Sequence, residues 1–161
     1  MRRIEGSILL ASLLTLSGLL SGCASSEVTA ARLDQSISRT FANLYLLQQS
    51  EQGSPSLTRA SLGSSAVCTK GATGSPQRGA GNDWVCDITY YVYQVGKFVT
   101  VIYNVNAQTD GCYAADPEGP ASVTTPLGQE NVGDDSRTIT GAGGRLVLNP
   151  LWLIDGCLDI G

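Results

Sequence analysis

Hydrophobic positions change their spacing twice along this chain. Residues 7–20 form an uncharged, leucine-rich run, shorter than the roughly 20 residues a helix needs to cross a hydrocarbon core. Over residues 29–49 the apolar positions fall at helical spacing. Leu33, Ile37, Phe41, Leu44 and Leu47 share one stripe, with Arg32, Gln35, Arg39 and Asn43 opposite, which predicts a core-facing helix. Thr29 is placed to cap its start, and Gly53-Ser54-Pro55 to end it. Leu46 falls off the stripe and is expected to be exposed.

From Ser64 onward the period drops to two. Residues 65–68, 84–93 and 97–106 read as strands, the last two dense in β-branched and aromatic residues. Residues 69–83, rich in Gly, Ser, Pro and Asn, read as a loop, and Val95-Gly96 as a tight hairpin turn. Setting Gln94 opposite Lys97 places Val92 against Val99, Tyr90 against Val101, Ile88 against Tyr103 and Cys86 against Val105. That face is apolar throughout, and the helix is its natural cover. The other face sets Tyr93 opposite Phe98, Tyr91 opposite Thr100, Thr89 opposite Ile102 and Asp87 opposite Asn104. Tyr91, Tyr93 and Phe98 are therefore the candidate binding face, of a kind that stacks on sugar rings or anchors a protein partner. The competing expectation is that later strands or the 69–83 loop cover them.

Asp110-Gly111 turns the chain into a third meander strand at 112–115, and residues 121–125 and 145–148 are further strand candidates. Asn149-Pro150 reads as the cap and first residue of a short helical turn over 151–154, stopped by Gly156. The expected fold class is α+β: an N-terminal helix packed on a four- to five-stranded antiparallel meander, with two disulfides.

The N-terminal run acquires a meaning from its flanks. Arg2 and Arg3 precede it, and it ends in Leu20-Ser21-Gly22-Cys23, which resembles the lipobox of bacterial lipoproteins. The resemblance implies diacylglycerol on the Cys23 thiol, cleavage before Cys23, and attachment to a membrane by lipid alone. Residues 1–22 would be a lipoprotein signal peptide, 23–28 a lipid-anchored tether, and 29–161 a single extracytoplasmic domain at the cell membrane. Ile4-Glu5-Gly6 lacks the apolar pair of a twin-arginine signal, so general secretion is the expected route.

With Cys23 given to lipid, Cys68, Cys86, Cys112 and Cys157 remain. Four thiols outside the cytoplasm are expected to pair, in one of three connectivities. Strand geometry favours Cys68 with Cys86 and Cys112 with Cys157. Cys86 faces the covered side one loop after Cys68, whereas Cys112, on the same row, would sit two strands away, about 10 Å. A metal site is disfavoured by the absence of histidine and of any C-x-x-C pair. Without residues 1–22 the chain keeps 8 basic and 13 acidic residues, a net charge of −5 that argues against nucleic acid as a partner.

Catalytic chemistry finds little to build on. The lack of histidine removes the usual base, and neither Lys70 nor Lys97 stands in an S-x-x-K spacing. Asp134-Asp135 reads as a solvated turn, the residues from Asn104 to Gly111 miss the calcium-loop pattern, and residues 141–144 lack a phosphate loop's lysine. Asp155 and Asp159, flanking Cys157, are the carboxylates on which a small envelope hydrolase would depend. Trp84-x-Cys86, Gly111-Cys112-Tyr113 and Asp155-Gly156-Cys157 together resemble motifs of small actinobacterial lipoproteins. That likeness supports the pairing and the compartment and implies no activity. The expectation is a non-catalytic binding or accessory module of the cell envelope, without cofactor, engaging an envelope protein or glycan. The alternatives are the carboxylate hydrolase or an inhibitor of a secreted protein.

Overall fold

The computed structural model describes residues 27–53, 57–119, 122–125, 128–131 and 136–158, with backbone alone over 122–131. The signal segment, Cys23, Asp134, Asp135 and Asp159 lie outside the described residues. Among those described, no helix is long and apolar enough to cross a membrane.

Helix α1 runs Ala30–Glu51, and Thr29 caps it by accepting the Arg32 amide on its hydroxyl. Its buried row steps by four residues, from Leu33 through Ile37, Phe41 and Tyr45 to Gln49. Such a row winds around a helix, as it must to follow a twisted sheet. The drift corrects the straight stripe expected from sequence: Leu47 is 48% exposed, and Leu46, like Leu44, is half-buried and packs against the core. A second helix, α2 (Arg59–Leu62), was not anticipated. Thr58 and Ser61 cap it reciprocally, and it seats Leu62 in the core.

The main sheet is antiparallel, in the order β1 (Ser65–Lys70), β2 (Gly81–Val92), β3 (Lys97–Ala107), β4 (Cys112–Pro117), β9 (Ile154–Cys157). Four strands form the expected meander. The fifth, β9, follows the turn expected at 149–154 and shares only Ile154 with it. The Asn149 side chain accepts the Leu151 amide and its carbonyl accepts that of Trp152, closing a turn that delivers the chain into β9. The expected strands at 121–125 and 145–148 do form, as β5 (Ser122–Thr125) and β8 (Leu146–Leu148). Each pairs outside the main sheet, with β6 (Gly128–Asn131) and β7 (Thr138–Thr140) respectively.

The central hairpin differs from expectation by two residues. Val92 pairs with Lys97, Tyr90 with Val99, Ile88 with Val101 and Cys86 with Tyr103. The turn spans residues 93–96, closed by the Gly96 amide on the Val92 carbonyl, with Gly96 at φ +65°. A slip of two preserves side-chain parity, so each residue keeps its predicted face. Trp84, Cys86, Ile88 and Tyr90 are fully buried beneath α1. The Tyr90 ring meets Phe41 at 4.8 Å and Tyr45 at 5.0 Å. Burial pushes the Tyr45 hydroxyl up to about 12 and those of Tyr90 and Tyr103 higher still. Tyr103 donates its proton to the Leu151 carbonyl.

Both disulfides join directly opposed residues, Cys68 with Cys86 across β1 and β2 and Cys112 with Cys157 across β4 and β9. The first lies in the core. The second lies on the outer face, because Tyr113 and Ala115, which alternate with Cys112, point inward. Cys86 and Cys112 are thus separated by face as well as by strand, which corrects the single row supposed from sequence. Helix α1 is tied to both edges of the sheet. Asp34 accepts the Cys68 amide at 2.6 Å on β1, and Ser36 donates to the Cys157 carbonyl at 3.2 Å on β9. At the start of α1, Lys70 fastens the following loop. Its ammonium donates to the carbonyls of Arg78, Gly79 and Ala80, with Asp83 at 3.8 Å and the Trp84 ring beneath.

Candidate binding surface

Helix α1 covers one face of the five-stranded sheet, and among the described residues no element covers the other. On that outer face the β2–β3 hairpin carries three rings in contact. Tyr91 meets Tyr93 at 4.9 Å with the planes 82° apart, and Phe98 at 5.2 Å and 71°. These are edge-to-face packings, in which the positive rim of one ring meets the negative face of the next. The two-residue slip puts Tyr91 directly opposite Phe98, which makes Tyr91 the hub. Neither later strands nor the 69–83 loop bury the cluster: Phe98 is 61% exposed and Tyr93 47%.

The rings are held from one side by the α2 segment. The Tyr93 hydroxyl donates to the Ser61 carbonyl at 3.3 Å, and the Phe98 ring lies against Gly63, where a Cβ would meet it at 3.5 Å. Away from the turn the face continues through Thr89 and Thr100, hydrogen-bonded at 2.9 Å, to exposed Ile102 on β3. Val67 adds exposed apolar surface on β1. The result is an aromatic end on a predominantly polar, uncovered sheet.

A second apolar surface lies on the helix side and was missed in the sequence. Leu44 and Leu47 of α1 face Leu146, Val147, Leu148 and Pro150 across an open groove of about 650 Å³, with Glu51 and Arg145 also in its lining. Leu146 is 69% exposed and Leu148 72%. The alternation Leu146-x-Leu148 marks a strand, but a three-residue strand cannot reveal from sequence which face meets solvent.

Carboxylates do not converge in comparable fashion. Asp155 is exposed on β9 opposite Ala114, and its proposed companion Asp159 lies outside the described residues. Burial raises the Asp34 carboxyl above its ordinary value, a shift opposed by the Cys68 amide bonded to it. Asp34 is engaged in tying α1 to β1, where the neighbouring sulfur is already in a disulfide. Among the described residues no group of acidic and sulfur side chains could hold a metal ion. Compared with known proteins, the chain matches no family model, no curated protein and no solved structure.

Proposed function

We propose that the chain is a membrane-anchored, extracytoplasmic lipoprotein whose domain is a non-catalytic binding or accessory module of the cell envelope. Its contact surface is the outer face of the β2–β3 hairpin, engaging an envelope protein or glycan through Tyr91, Tyr93 and Phe98. The observation that carries the reading is the three-ring cluster itself, with Tyr93 and Phe98 exposed, Tyr91 half-buried between them, and α2 bracing one side. Large aromatic side chains are costly to leave in water and are enriched where proteins meet partners. The Leu20-Ser21-Gly22-Cys23 ending and the four remaining cysteines, paired in two disulfides, support the lipid anchor and the oxidising compartment.

The test is crosslinking of the acylated protein in intact cells, comparing wild type with the Tyr91→Ala/Tyr93→Ala double variant. Both residues lie outside the α1-covered core, so the variant should still unfold cooperatively, at a urea midpoint lowered by the loss of two ring contacts of about 1 kcal/mol each, and should lose its crosslinked partner. Unchanged capture would remove the hairpin face from the proposal. An unmodified Cys23 in the mass spectrum of the mature protein would remove the anchor.

A further inference from the structure

Taking the lipid anchor on Cys23 as its premise, we infer that the helix side of the domain lies flat on the bilayer holding those acyl chains. In this arrangement the Leu47–Leu146–Leu148 patch is seated in the lipid interface.

Three observations converge on this occupant. The first is the tether. Four peptide units separate Cys23 from Glu27, where the described chain begins, a reach of at most about 14 Å. The start of α1 is therefore held close to the membrane. The second is the exposed ridge of α1, which runs Ala31, Gln35, Arg39, Asn43, Leu47. It begins beside the tether and ends in the apolar groove, about 24 Å further along the axis. A domain tethered at one end of this ridge brings the other end to the same surface by lying down. The third is charge. From Ala31 to Leu47 the ridge carries one arginine and no carboxylate, and the exposed Glu51 that follows is accompanied by Arg145 in the lining of the groove, in a chain whose net charge is −4. Asp34 is turned instead toward β1, where it holds the Cys68 amide. An anionic lipid surface thus meets the part of α1 that does not repel it.

The apolar end then has a physical role. Leu146 and Leu148, two of the most exposed large apolar side chains among the described residues, lie beside Leu47 rather than scattered. Side chains of this kind bury themselves at the boundary between headgroups and acyl chains. One such patch binds weakly alone, but beside a covalent anchor it need only orient the domain. In that orientation the outer sheet face, with Tyr91, Tyr93 and Phe98, is directed away from the membrane and toward the envelope.

Two tryptophan reporters test the arrangement. Trp84 is fully buried and supplies a constant background, so Trp152→Phe clears the other native signal. On that background Leu148→Trp places a reporter in the patch and Phe98→Trp places one on the opposite face. Each acylated full chain is reconstituted in phosphatidylcholine vesicles with brominated acyl chains and recovered by flotation. The expected result is strong quenching and a blue shift for the Leu148→Trp reporter, with the Phe98→Trp reporter unquenched. Floating protein with neither reporter quenched overturns the docking and leaves the anchor standing. Quenching of the Phe98→Trp reporter, alone or with the other, overturns the assigned face. Protein that fails to float overturns the anchor and the docking together.

Discussion

Gly156 on β9 is a glycine required for space and not for backbone conformation, and substituting it isolates one contact. It is absent from the glycines with positive φ. A Cβ built there would nonetheless stand 2.8 Å from the Tyr113 hydroxyl oxygen and 3.0 Å from the ring carbon bearing it. The hydroxyl cannot easily retreat, because it is held at 3.1 Å by both Ser36 and Thr40 of α1. Gly156→Ala should therefore displace the ring and cost overpacking strain of about 1–3 kcal/mol. Losing the two hydroxyl contacts adds about 1–2 kcal/mol. Tyr113→Phe alone should cost only the hydrogen bonds. Once the hydroxyl is gone, the added methyl still crowds the ring carbon at its edge but has lost its worst clash. Gly156→Ala should then be cheaper in the Tyr113→Phe background than in wild type by about 1–2 kcal/mol. Urea unfolding, followed by the fluorescence of buried Trp84, measures all four corners of the cycle. Strictly additive costs would show that the hydroxyl clasp does not set the α1–β9 spacing.

The remaining predictions concern the two disulfides and the carboxylate on α1. By chain entropy the Cys112–Cys157 bond, with a sequence separation of 45, contributes about 4 kcal/mol and Cys68–Cys86, with 18, about 3. The latter also buries both sulfurs, worth roughly 1 kcal/mol each, so Cys68→Ala/Cys86→Ala should lower the urea midpoint further than Cys112→Ala/Cys157→Ala; the reverse order would mean that loop length alone governs. Asp34 has a folded pKa raised above the ordinary carboxylate value, chiefly by burial. Its contribution to stability is therefore fully present below the unfolded pKa and is lost as pH rises through the folded one. Asp34→Asn, which can still accept the Cys68 amide, should match or exceed wild type at pH 7 and flatten the pH profile just above the carboxylate range. Asp34→Ala should lose about 1 kcal/mol at pH 7, and equal stability of the two variants would deny the hydrogen bond a role.

What was legible in the sequence was whatever a local period encodes. The helix with its Thr29 cap, the two faces of the central hairpin and the Cys68–Cys86 bond follow from spacing within short windows, whereas Cys112–Cys157, 45 residues apart, was reached only by elimination. The hairpin faces survived a wrong register because the error was an even number of residues. Interactions between distant segments were not legible. The segment Ile154-Asp155-Gly156-Cys157 has too few residues for alternation, and its strand state depends on β4 supplying both ladder and disulfide partner. Gln48 and Gln49 are polar residues near the end of α1, yet both are buried. Gln48 donates to Asn149, which itself donates to the Ser136 carbonyl, fixing the C-terminal region on α1. Gln49 accepts from Gln94 at the hairpin turn. The aromatic cluster was legible residue by residue. The leucine groove was not, since it brings together side chains about 100 positions apart.

The way the sheet is closed bears on how it could recognise anything. An uncovered sheet offers a partner two routes: strand addition at an edge, or side-chain contact on a face. Both edges here are engaged by the protein itself. On β1 the Cys68 amide goes to Asp34 and the Lys70 amide to the Gln77 side chain, which returns a bond to the Lys70 carbonyl. On β9 the Cys157 carbonyl takes the Ser36 hydroxyl. A peptide adding to either edge would have to displace these bonds, and on β1 the Asp34 contact joins the edge directly to the helix covering the core. Recognition through the face displaces nothing, because Tyr91, Tyr93 and Phe98 already project from a hairpin whose backbone bonds are made. The same edge closure that protects a small, stapled sheet from pairing with its neighbours leaves side-chain contact as the route of lower cost, and the aromatic end is where that contact has most to gain.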